Sequence, residues 1–435
     1  FSLEAFEEVA GAVTDQDGID LIESLCDKSL ILPSDFAGTT RYRLLNPIRQ
    51  FAAEQLEGLG CREEAELAHM THFRSLSATA GSALTSGERQ VAAFQADHDN
   101  LVASITRAIE RGARGDALMM ALGLHTYWEE TGNLADASKL ILSALDPGLA
   151  EPLSFQGACV LLAYAPMCGN LTHAFELADR LAPALEDDLP PKPYGRVRFA
   201  LAFLHLARAE LAPAVDLWSD AGRHLVGIDD HFARNALYNA AWASTYDLRF
   251  DQATSLLDEA FAIAPPRQRW FDDLAGVHRS LISITRGAGT LDELVEAAGA
   301  VDDHGLRYRL MLAAMDTTLG AFLLGAEEIA EGWWRRLLQA SLDMGHVWSA
   351  LYSVEFAAWS AVAAGDDLAA SVRWGCVHDV ASERGYGLPG LIGQEHDRRM
   401  ATVSARDPGA LVEGLELGSE RNLHELVEDL IQSPS

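Results

Sequence analysis

Two histidines one helical turn apart are the first residues whose type and spacing could hold a metal ion. His69 and His72 stand in "AHMTHF", and imidazole nitrogens are common zinc ligands. A bare pair with no carboxylate or cysteine at a matching spacing is more typical of solvated or core histidines. His396 in "QEHDRRM" has acidic neighbours, as an exposed helix face usually does. We therefore predict no metal site.

The motifs that cradle phosphate or hold a nucleophile are missing from the sequence. A P-loop requires G-x-x-x-x-G-K-[ST], whereas Lys28-Ser29 follows "ESLCD" without a glycine. No G-x-G-x-x-G follows a predicted strand, and no G-x-S-x-G nucleophile motif occurs. The sequence therefore predicts no catalytic residue, no enzyme activity and no cofactor within this chain.

A polar and aromatic stripe in "RNALYNAAWASTY" is the strongest candidate for a binding surface. Its members follow one another at spacings of four, three and four residues, which places them on one helix face. In a concave groove, asparagine side chains could clamp the backbone of an extended partner. The candidate groove residues are Arg198, His205, Asn235, Asn239, Trp242 and Tyr246. Because aromatic stripes at helical spacing are more often packing, Trp242 and Tyr246 could equally belong to the core.

The charge of the chain argues against contact with nucleic acid. The formal net charge is -31 at pH 7, and residues 1–80 hold 14 acidic and 6 basic residues, which gives 6 - 14 = -8. Binding to a phosphate backbone needs clustered basic residues that displace counterions. No run approaches the length of a membrane span. The five cysteines form no C-x-x-C pair, which is typical of a reducing cytoplasm.

Seven units of near-constant length organise most of the chain. Each has one shared small position, and successive positions are 37, 40, 39, 41, 36 and 40 residues apart. The shared positions are Ala137, Ala174, Ala214, Ala253, Leu294, Ala330 and Ala370. In several units a larger apolar residue follows at i+4 and an Ala, Leu or Val at i+7, so each unit predicts a helix hairpin that buries one face by stacking on its neighbours.

Glycines mark the turn before the second helix of most units. A left-handed turn is predicted at Gly132, Gly169, Gly289, Gly325 and Gly365. Ala209 and Leu248 stand where two units lack this glycine. The pattern resembles the tetratricopeptide repeat, best in "NALYNAAWASTYDLRFDQATSLLDEAFAIAPP", where Pro265 takes the closing position. That resemblance implies a right-handed superhelix of helix hairpins over residues 115–385.

The first eighty residues predict a different unit. "SLEAFEEVA" and "DGIDLIESLCDKSL" have helical periodicity, and "SLILPS" with "TTRYRLL" predicts a β-hairpin. We expect Asn46 to be the N-cap of the next helix, with Pro47 at its first position and its end at Gly58 or Gly60. Two helices, a hairpin and a helix resemble a winged-helix domain. Because the pattern begins abruptly at Phe1, we expect the chain to be a fragment.

Several motifs together resemble one protein family. They are "DKSL", "RYRLL-x-x-IRQ-F-A-x-E-x-L" and "DHDNL" at residues 97–101. They are similar to bacterial, actinobacterial-type STAND regulators, signal-transducing ATPases related to the NB-ARC class. The resemblance implies an upstream nucleotide-binding domain that holds ATP or ADP, a winged helix that contacts it, and a repeat sensor. Where NB-ARC proteins often have a phosphate-contacting histidine, this chain has Leu45, which cannot make that contact.

The resemblance assigns an interface and a function. The winged-helix residues expected to face the upstream domain are Arg41, Arg43, Leu45, Asn46 and Arg49. We expect a cytoplasmic regulatory sensor that binds an inducer or a protein partner in the repeat groove. The alternative is a free-standing scaffold with no nucleotide switch. The predicted domains are residues 1–80 (winged-helix-like), 81–114 (linker helices), 115–385 (repeats) and 386–435 (capping helices).

Overall fold

Helices make up most of the chain in a computed structural model that describes residues 1–36, 38–83, 88–146, 152–185, 189–263 and 269–432. The first elements are α1 (Leu3–Ala10), α2 (Gly18–Asp27), β1 (Ile31–Phe36), β2 (Thr39–Leu44), α3 (Asn46–Gly58), α4 (Arg62–Ala83), α5 (Glu88–Ala96), α6 (His98–Glu110), α7 (Arg114–Gly123) and α8 (His125–Thr131). The strands pair antiparallel, with Ile31 opposite Leu44. The predicted fold class, all-α with one β-hairpin, is confirmed.

The later helices alternate along the chain as first and second members of hairpins. They are α9 (Leu134–Ala144), α10 (Pro152–Met167), α11 (Leu171–Leu181), α12 (Pro191–Ala207), α13 (Leu211–Leu225), α14 (Asp230–Tyr246), α15 (Phe250–Ala262), α16 (Arg269–Thr285), α17 (Leu291–Asp302), α18 (Arg307–Leu323), α19 (Glu327–Asp343), α20 (Val347–Ala364) and α21 (Asp367–Arg384). The last elements are α22 (Gly390–Arg406), α23 (Pro408–Ser419) and α24 (Leu423–Gln432). Pro265, the predicted closing proline, lies outside the described residues.

The chain divides into two compact units. Unit 1 comprises Phe1–Thr131 with Lys139–Ser154, and unit 2 comprises Gly132–Ser138 with Phe155–Ser435. The domain boundaries predicted at residues 80, 114 and 385 stay predictions; residue 80 itself lies inside α4. Among the described residues, no helix is both long enough and apolar enough to cross a lipid bilayer.

Unit 1 is organised around α4, which packs against α1, α6 and α7. The helix α3 ends at Gly58, as predicted, but its N-cap is Leu45 and not Asn46. The carbonyl of Leu45 accepts the first helical hydrogen bond, from the Arg49 amide at 2.9 Å. Asn46 is therefore already helical and gives no side-chain cap, so that prediction is wrong by one residue.

The seven shared positions explain why unit 2 forms stacked hairpins. All seven lie on second helices, from α9 to α21, and each is 0% exposed. The larger apolar residues that stand four positions later in several units, such as Trp218 and Trp374, are also buried. A small residue at the shared position lets two helices approach closely, and the larger one fills the space beside it. The predicted register of the repeats is confirmed over these positions.

The turns before the second helices are left-handed whether or not they contain glycine. Gly132, Gly169, Gly325 and Gly365 have positive φ, as predicted. Ala209 (φ 57) and Leu248 (φ 62) adopt the same conformation. In both, the next amide donates back to a carbonyl five residues earlier, as in a Schellman turn. The prediction for Gly289 is wrong, because the left-handed residue of that unit is Gly287 (φ 73).

Gly325 provides a clean test of this backbone requirement. Its φ is 70, and a Cβ built on it would meet nothing within 4 Å. Because a left-handed alanine costs about 1–2 kcal/mol, we expect Gly325→Ala to lower the free energy of unfolding by about 1 kcal/mol. Chemical denaturation measures this. Ala209→Gly is the matched control and should not destabilise the chain; equal losses in both variants would contradict the assignment.

A short segment between α21 and α22 contacts the C-terminal ends of α10 and α12 within unit 2. The hydroxyl of Tyr386 donates to the carbonyl of Pro166, at the end of α10. The amide of Gly387 donates to the carbonyl of Ala207 at 2.9 Å, at the end of α12. A Cβ at Gly387 would lie 2.7 Å from the Arg208 carbonyl oxygen. We call residues 385–389 the strap; glycine at 387 allows its close approach.

Candidate functional site

The helix α14 carries four of the six predicted groove residues, and the structure separates their roles. Trp242 and Tyr246 are buried, at 5% and 0% exposure, whereas Asn235 and Asn239 are half-buried. The rings of Trp242 and Tyr246 pack 4.3 Å apart. Both side chains also make polar contacts inside unit 2, so neither is only apolar packing.

A buried carboxylate receives those contacts. Asp316 on α18 is 0% exposed, and its Oδ1 accepts hydrogen bonds from Trp242 Nε1 at 3.0 Å and Tyr246 Oη at 2.8 Å. Its Oδ2 lies 2.9 Å from Nδ1 of His278 on α16. The other ring nitrogen of His278 lies 3.0 Å from Thr245 Oγ1. A buried carboxylate is tolerated when such groups satisfy it, and this one joins α14, α16 and α18.

Trp242 also faces an aromatic cavity of unit 2. The cavity encloses about 550 Å³ of space not filled by atoms, including solvent at its mouth. Aromatic side chains from α12, α13, α14, α18 and α20 line it: Phe203, Trp218, Tyr238, Trp242, Tyr308 and Trp348. Pro166 and Ala207, whose helix ends contact the strap, also line it. A largely apolar, concave site with a few polar groups is the usual form of a small-molecule site.

Several polar groups of the lining have no hydrogen-bond partner among the residues that the structure describes. Trp218 Nε1 and Tyr238 Oη are buried and make no hydrogen bond within the described part of the chain. Asn239 also lines the cavity, and no side-chain hydrogen bond is found for it among the described residues. Unsatisfied buried donors are uncommon in folded proteins and call for an explanation. Burial and the nearby charge of Asp316 raise the pKa of Tyr238 well above its usual value, so its hydroxyl remains a donor.

His346 adds a neutral imidazole to the same lining. It is the N-cap of α20, and its Nδ1 accepts the Ser349 amide at 3.2 Å. Burial lowers the pKa of His346 to about 4, so the ring is uncharged near neutral pH. Because Nδ1 accepts, the hydrogen of the neutral ring is on Nε2. The cavity therefore has a further potential donor.

The remaining predicted groove residues lie elsewhere. Arg198 pairs with Asp220 at 2.8 Å, and its guanidinium lies 3.4 Å from the ring centroid of Tyr194. His205 Nδ1 lies 2.6 Å from Glu210. Neither they nor Asn235 nor Tyr246 lines the cavity, so only Asn239 and Trp242 of the six do. Whether these two bind a ligand stays a prediction.

Sequence reasoning missed the carboxylate and the opposite wall of the cavity. Asp316 stands alone in "LMLAAMDTTLGAFL", and a single acid in an apolar helix was the available signal for a buried polar cluster. His346 and Trp348 gave no such signal, because they precede and begin an ordinary apolar helix. The contact of Trp348 with Trp242, at 6.1 Å between the ring centroids, is long-range in sequence.

A second buried carboxylate lies at the other end of the array. Glu355 on α20 is 0% exposed, and its Oε1 accepts from Trp359 Nε1 at 2.5 Å and Trp374 Nε1 at 3.0 Å. Nδ1 of His396 lies 2.8 Å from the same oxygen. Burial lowers the pKa of His396, but its hydrogen bond and attraction to Glu355 outweigh burial, so the pKa is raised. This cluster joins α20, α21 and α22. His396 of "QEHDRRM" therefore lies on the buried face of α22 with Glu395 and Arg399, whereas Gln394, Asp397 and Arg398 are exposed.

In unit 1, the predicted interface residues divide into one that is already hydrogen-bonded within the unit and four that are exposed. Arg41 is half-buried and holds Asp97 with two hydrogen bonds, one of them from Nη1 at 2.9 Å. Asp97 opens the "DHDNL" stretch, so this motif fixes the hairpin to α6. His98 Nδ1 of the same motif lies 2.8 Å from the Tyr127 hydroxyl. The exposed residues of the predicted interface are Arg43, Leu45, Asn46 and Arg49.

The histidine pair of α4 is occupied by other contacts. His69 Nδ1 lies 3.0 Å from Ser104 Oγ, and burial lowers the pKa of His69. His72 Nδ1 lies 2.6 Å from Glu8. Within the described ranges, no group of three or more potential ligand residues is arranged to hold a metal ion.

Comparison with known proteins gives a partial relationship. No family model matches the chain. Proteins of Mycobacterium bovis and Mycobacterium tuberculosis, each named "Putative HTH-type transcriptional regulator", are 31% identical over 150 residues. This stretch is 34% of the chain, which spans only 17% of the length of these curated relatives. Over that stretch, the chain is similar to proteins named as transcriptional regulators.

A comparison of structures finds a STAND protein with a tetratricopeptide repeat sensor from Pyrococcus horikoshii. It matches 99% of this chain and 63% of that chain, at 14% sequence identity and a TM-score of 0.48. At that TM-score the likeness carries no argument about function. What can be said of function therefore depends on the residues, their geometry and the partial relationship to regulators.

Proposed function

We propose that this chain is the sensor arm of a STAND-type transcriptional regulator. The observation that carries the proposal is the aromatic cavity of unit 2, in which the buried Trp218 Nε1 and Tyr238 Oη make no hydrogen bond within the described residues and Trp242 also donates to Asp316. Binding, and not catalysis, is the proposed role. The relationship to mycobacterial regulators supports a regulatory context, and the "DHDNL" and "RYRLL" motifs support the STAND kind.

The proposed relay passes from the cavity to the packing of the array. A ligand that moves Trp242 would also disturb its hydrogen bond to Asp316, and Asp316 joins α14, α16 and α18. Pro166 and Ala207 connect the lining to the strap through their carbonyl groups. A ligand bound in the cavity would thus favour one arrangement of α14, α16 and α18 over another, as a conformational switch requires.

The proposed partner of unit 1 is an upstream nucleotide-binding domain that holds ATP or ADP. Arg43 and Arg49 are exposed beside Leu45 and Asn46, and this group is available to an acidic partner face. Arg41 is not available in the same way, because Asp97 and the Ala96 carbonyl already accept its hydrogen bonds. We therefore expect Arg41 to stabilise unit 1 and the other four to contact the partner.

The affinity of the whole chain for that upstream domain, measured by calorimetry with ADP and with ATP, tests this function. We expect the dissociation constant to differ by at least about fivefold between nucleotides, since coupling between linked sites is typically worth 1–3 kcal/mol. The double variant Arg43→Glu/Arg49→Glu should weaken binding in both states, and Arg279→Glu, an exposed arginine of unit 2, should not. Binding that ignores the nucleotide, or no binding, would contradict the proposal and favour the free-standing scaffold.

A further inference from the structure

The cavity of unit 2 combines an aromatic lining with two buried donors, Trp218 Nε1 and Tyr238 Oη, that make no hydrogen bond within the part of the chain that the structure describes. From this combination we propose that it binds a neutral, planar, largely apolar molecule that carries a carbonyl-type acceptor oxygen. This inference rests on the sensor function proposed above, because it names the chemical class of the inducer.

The walls favour a flat apolar ligand. The rings of Trp242 and Trp348 cross at 66° with centroids 6.1 Å apart, and those of Phe203 and Trp218 cross at 84° at 5.1 Å. Such edge-on pairs leave ring faces and edges available to a planar ring system. Met311 also lines the cavity, and an unbranched methionine can move to admit a ligand.

The donors favour an acceptor on that ligand. Trp218 Nε1 and Tyr238 Oη make no hydrogen bond within the described residues and are out of contact with solvent. The N–H of His346 belongs to the same lining. The side-chain amide of Asn239 can either donate or accept a hydrogen bond. A ligand oxygen that accepts from one or two of these groups would satisfy them, whereas a pure hydrocarbon would leave them unpaired.

The surroundings favour a neutral ligand. The described lining residues include no Asp, Glu, Lys or Arg, and burial keeps His346 uncharged near neutral pH. An anionic ligand would lie near the carboxylate of Asp316, which accepts a hydrogen bond from Trp242 in the wall of the cavity, and the described lining residues include no Lys or Arg to offset the repulsion. The aromatic faces would attract a quaternary ammonium ion, but the described lining residues include no carboxylate to pair with its charge, so burying it costs more than burying a neutral ligand.

Calorimetric titration of the intact chain with four probes tests the class. The probes are acetylnaphthalene, which is planar with a ketone; naphthalene, which lacks the acceptor; naphthoate, which is anionic; and benzyltrimethylammonium, which is cationic. We expect acetylnaphthalene to bind most tightly and naphthalene roughly fivefold more weakly, as the loss of one hydrogen bond implies. Naphthoate and the ammonium ion should bind more weakly than acetylnaphthalene by at least about tenfold, because they bury a charge.

Two variants locate the site. Tyr238→Phe removes an unpaired hydroxyl and should fold normally, while reducing the preference for acetylnaphthalene over naphthalene. Tyr194→Phe is its matched control, since the Tyr194 hydroxyl donates to Asp220 and not to the cavity. Ala207→Leu places extra atoms in the cavity and should weaken every probe. Absence of binding by acetylnaphthalene, tighter binding of a charged probe, or equal behaviour of both tyrosine variants would overturn the inference.

These outcomes can be told apart from failure of the sensor function. If the probes bind as expected while the affinity for the upstream domain ignores the nucleotide, the ligand class stands and the switch does not. If the affinity depends on the nucleotide and no neutral probe binds, the sensor function stands and the ligand class is overturned.

Discussion

Asp316→Ala is expected to lower the free energy of unfolding of unit 2 by about 3–5 kcal/mol, the usual cost of breaking a buried charged network from one side. The substitution removes the acceptor of Trp242 Nε1 and Tyr246 Oη and leaves His278 Nδ1 without its carboxylate. It also opens space between α14, α16 and α18. Chemical denaturation followed by tryptophan fluorescence measures the loss.

Two further variants make this expectation specific to the network. Asp316→Asn keeps one acceptor oxygen for Trp242 and Tyr246 and should lose less stability than the alanine variant. Asp251→Ala removes a fully exposed carboxylate that pairs with Arg286, and a surface pair contributes at most about 1 kcal/mol. If Asp316→Ala and Asp251→Ala unfold at the same denaturant concentration, the cluster does not hold the helices together.

His346 is expected to make unit 2 sensitive to acid. Burial lowers its pKa to about 4 from 6.5, so between these values the unfolded chain binds a proton that the folded chain does not. Stability therefore falls as the pH falls, by roughly 3 kcal/mol between about pH 7.5 and pH 4. His346→Asn keeps an N-cap acceptor for Ser349 and should remove most of this slope when denaturation is measured across the range.

The other histidines are present in both the native protein and the His346→Asn variant. Their contributions to the pH dependence of stability therefore cancel when the two are compared. Burial lowers the pKa of His378, which also destabilises the fold in acid. The raised pKa of His396 has the opposite sign: its stabilisation is complete below the unfolded pKa and is lost as the pH rises through the folded one. Equal pH dependence in the native protein and His346→Asn would contradict a buried neutral His346.

The repeat register was readable from the sequence because its signal is local. Ala137 and its six equivalents recur at near-constant spacing, and each is buried, since close helix packing admits only limited volume at that position. The errors were local as well. The N-cap is Leu45 and not the predicted Asn46, and the left-handed residue is Gly287 and not the predicted Gly289. Each prediction was displaced by one or two residues.

The cavity could not be predicted in the same way. A helical stripe identifies the face of α14 that carries Asn239 and Trp242 but not what lies opposite. Trp242 meets Asp316 across 74 residues of sequence, and the strap reaches Pro166 across 220. Such contacts follow from the path of the whole array. Ala209 and Leu248 show a further limit, because the fold imposes a left-handed turn where the residue type does not favour it.

The most direct test of the central claim is nucleotide exchange in the full-length protein, with and without acetylnaphthalene. If the array is a sensor, bound ligand should change the rate of ADP release by at least about fivefold, and the Ala207→Leu variant should show no change. If calorimetry shows that the ligand is bound and ADP release is the same with and without it, the cavity is not coupled to a nucleotide switch.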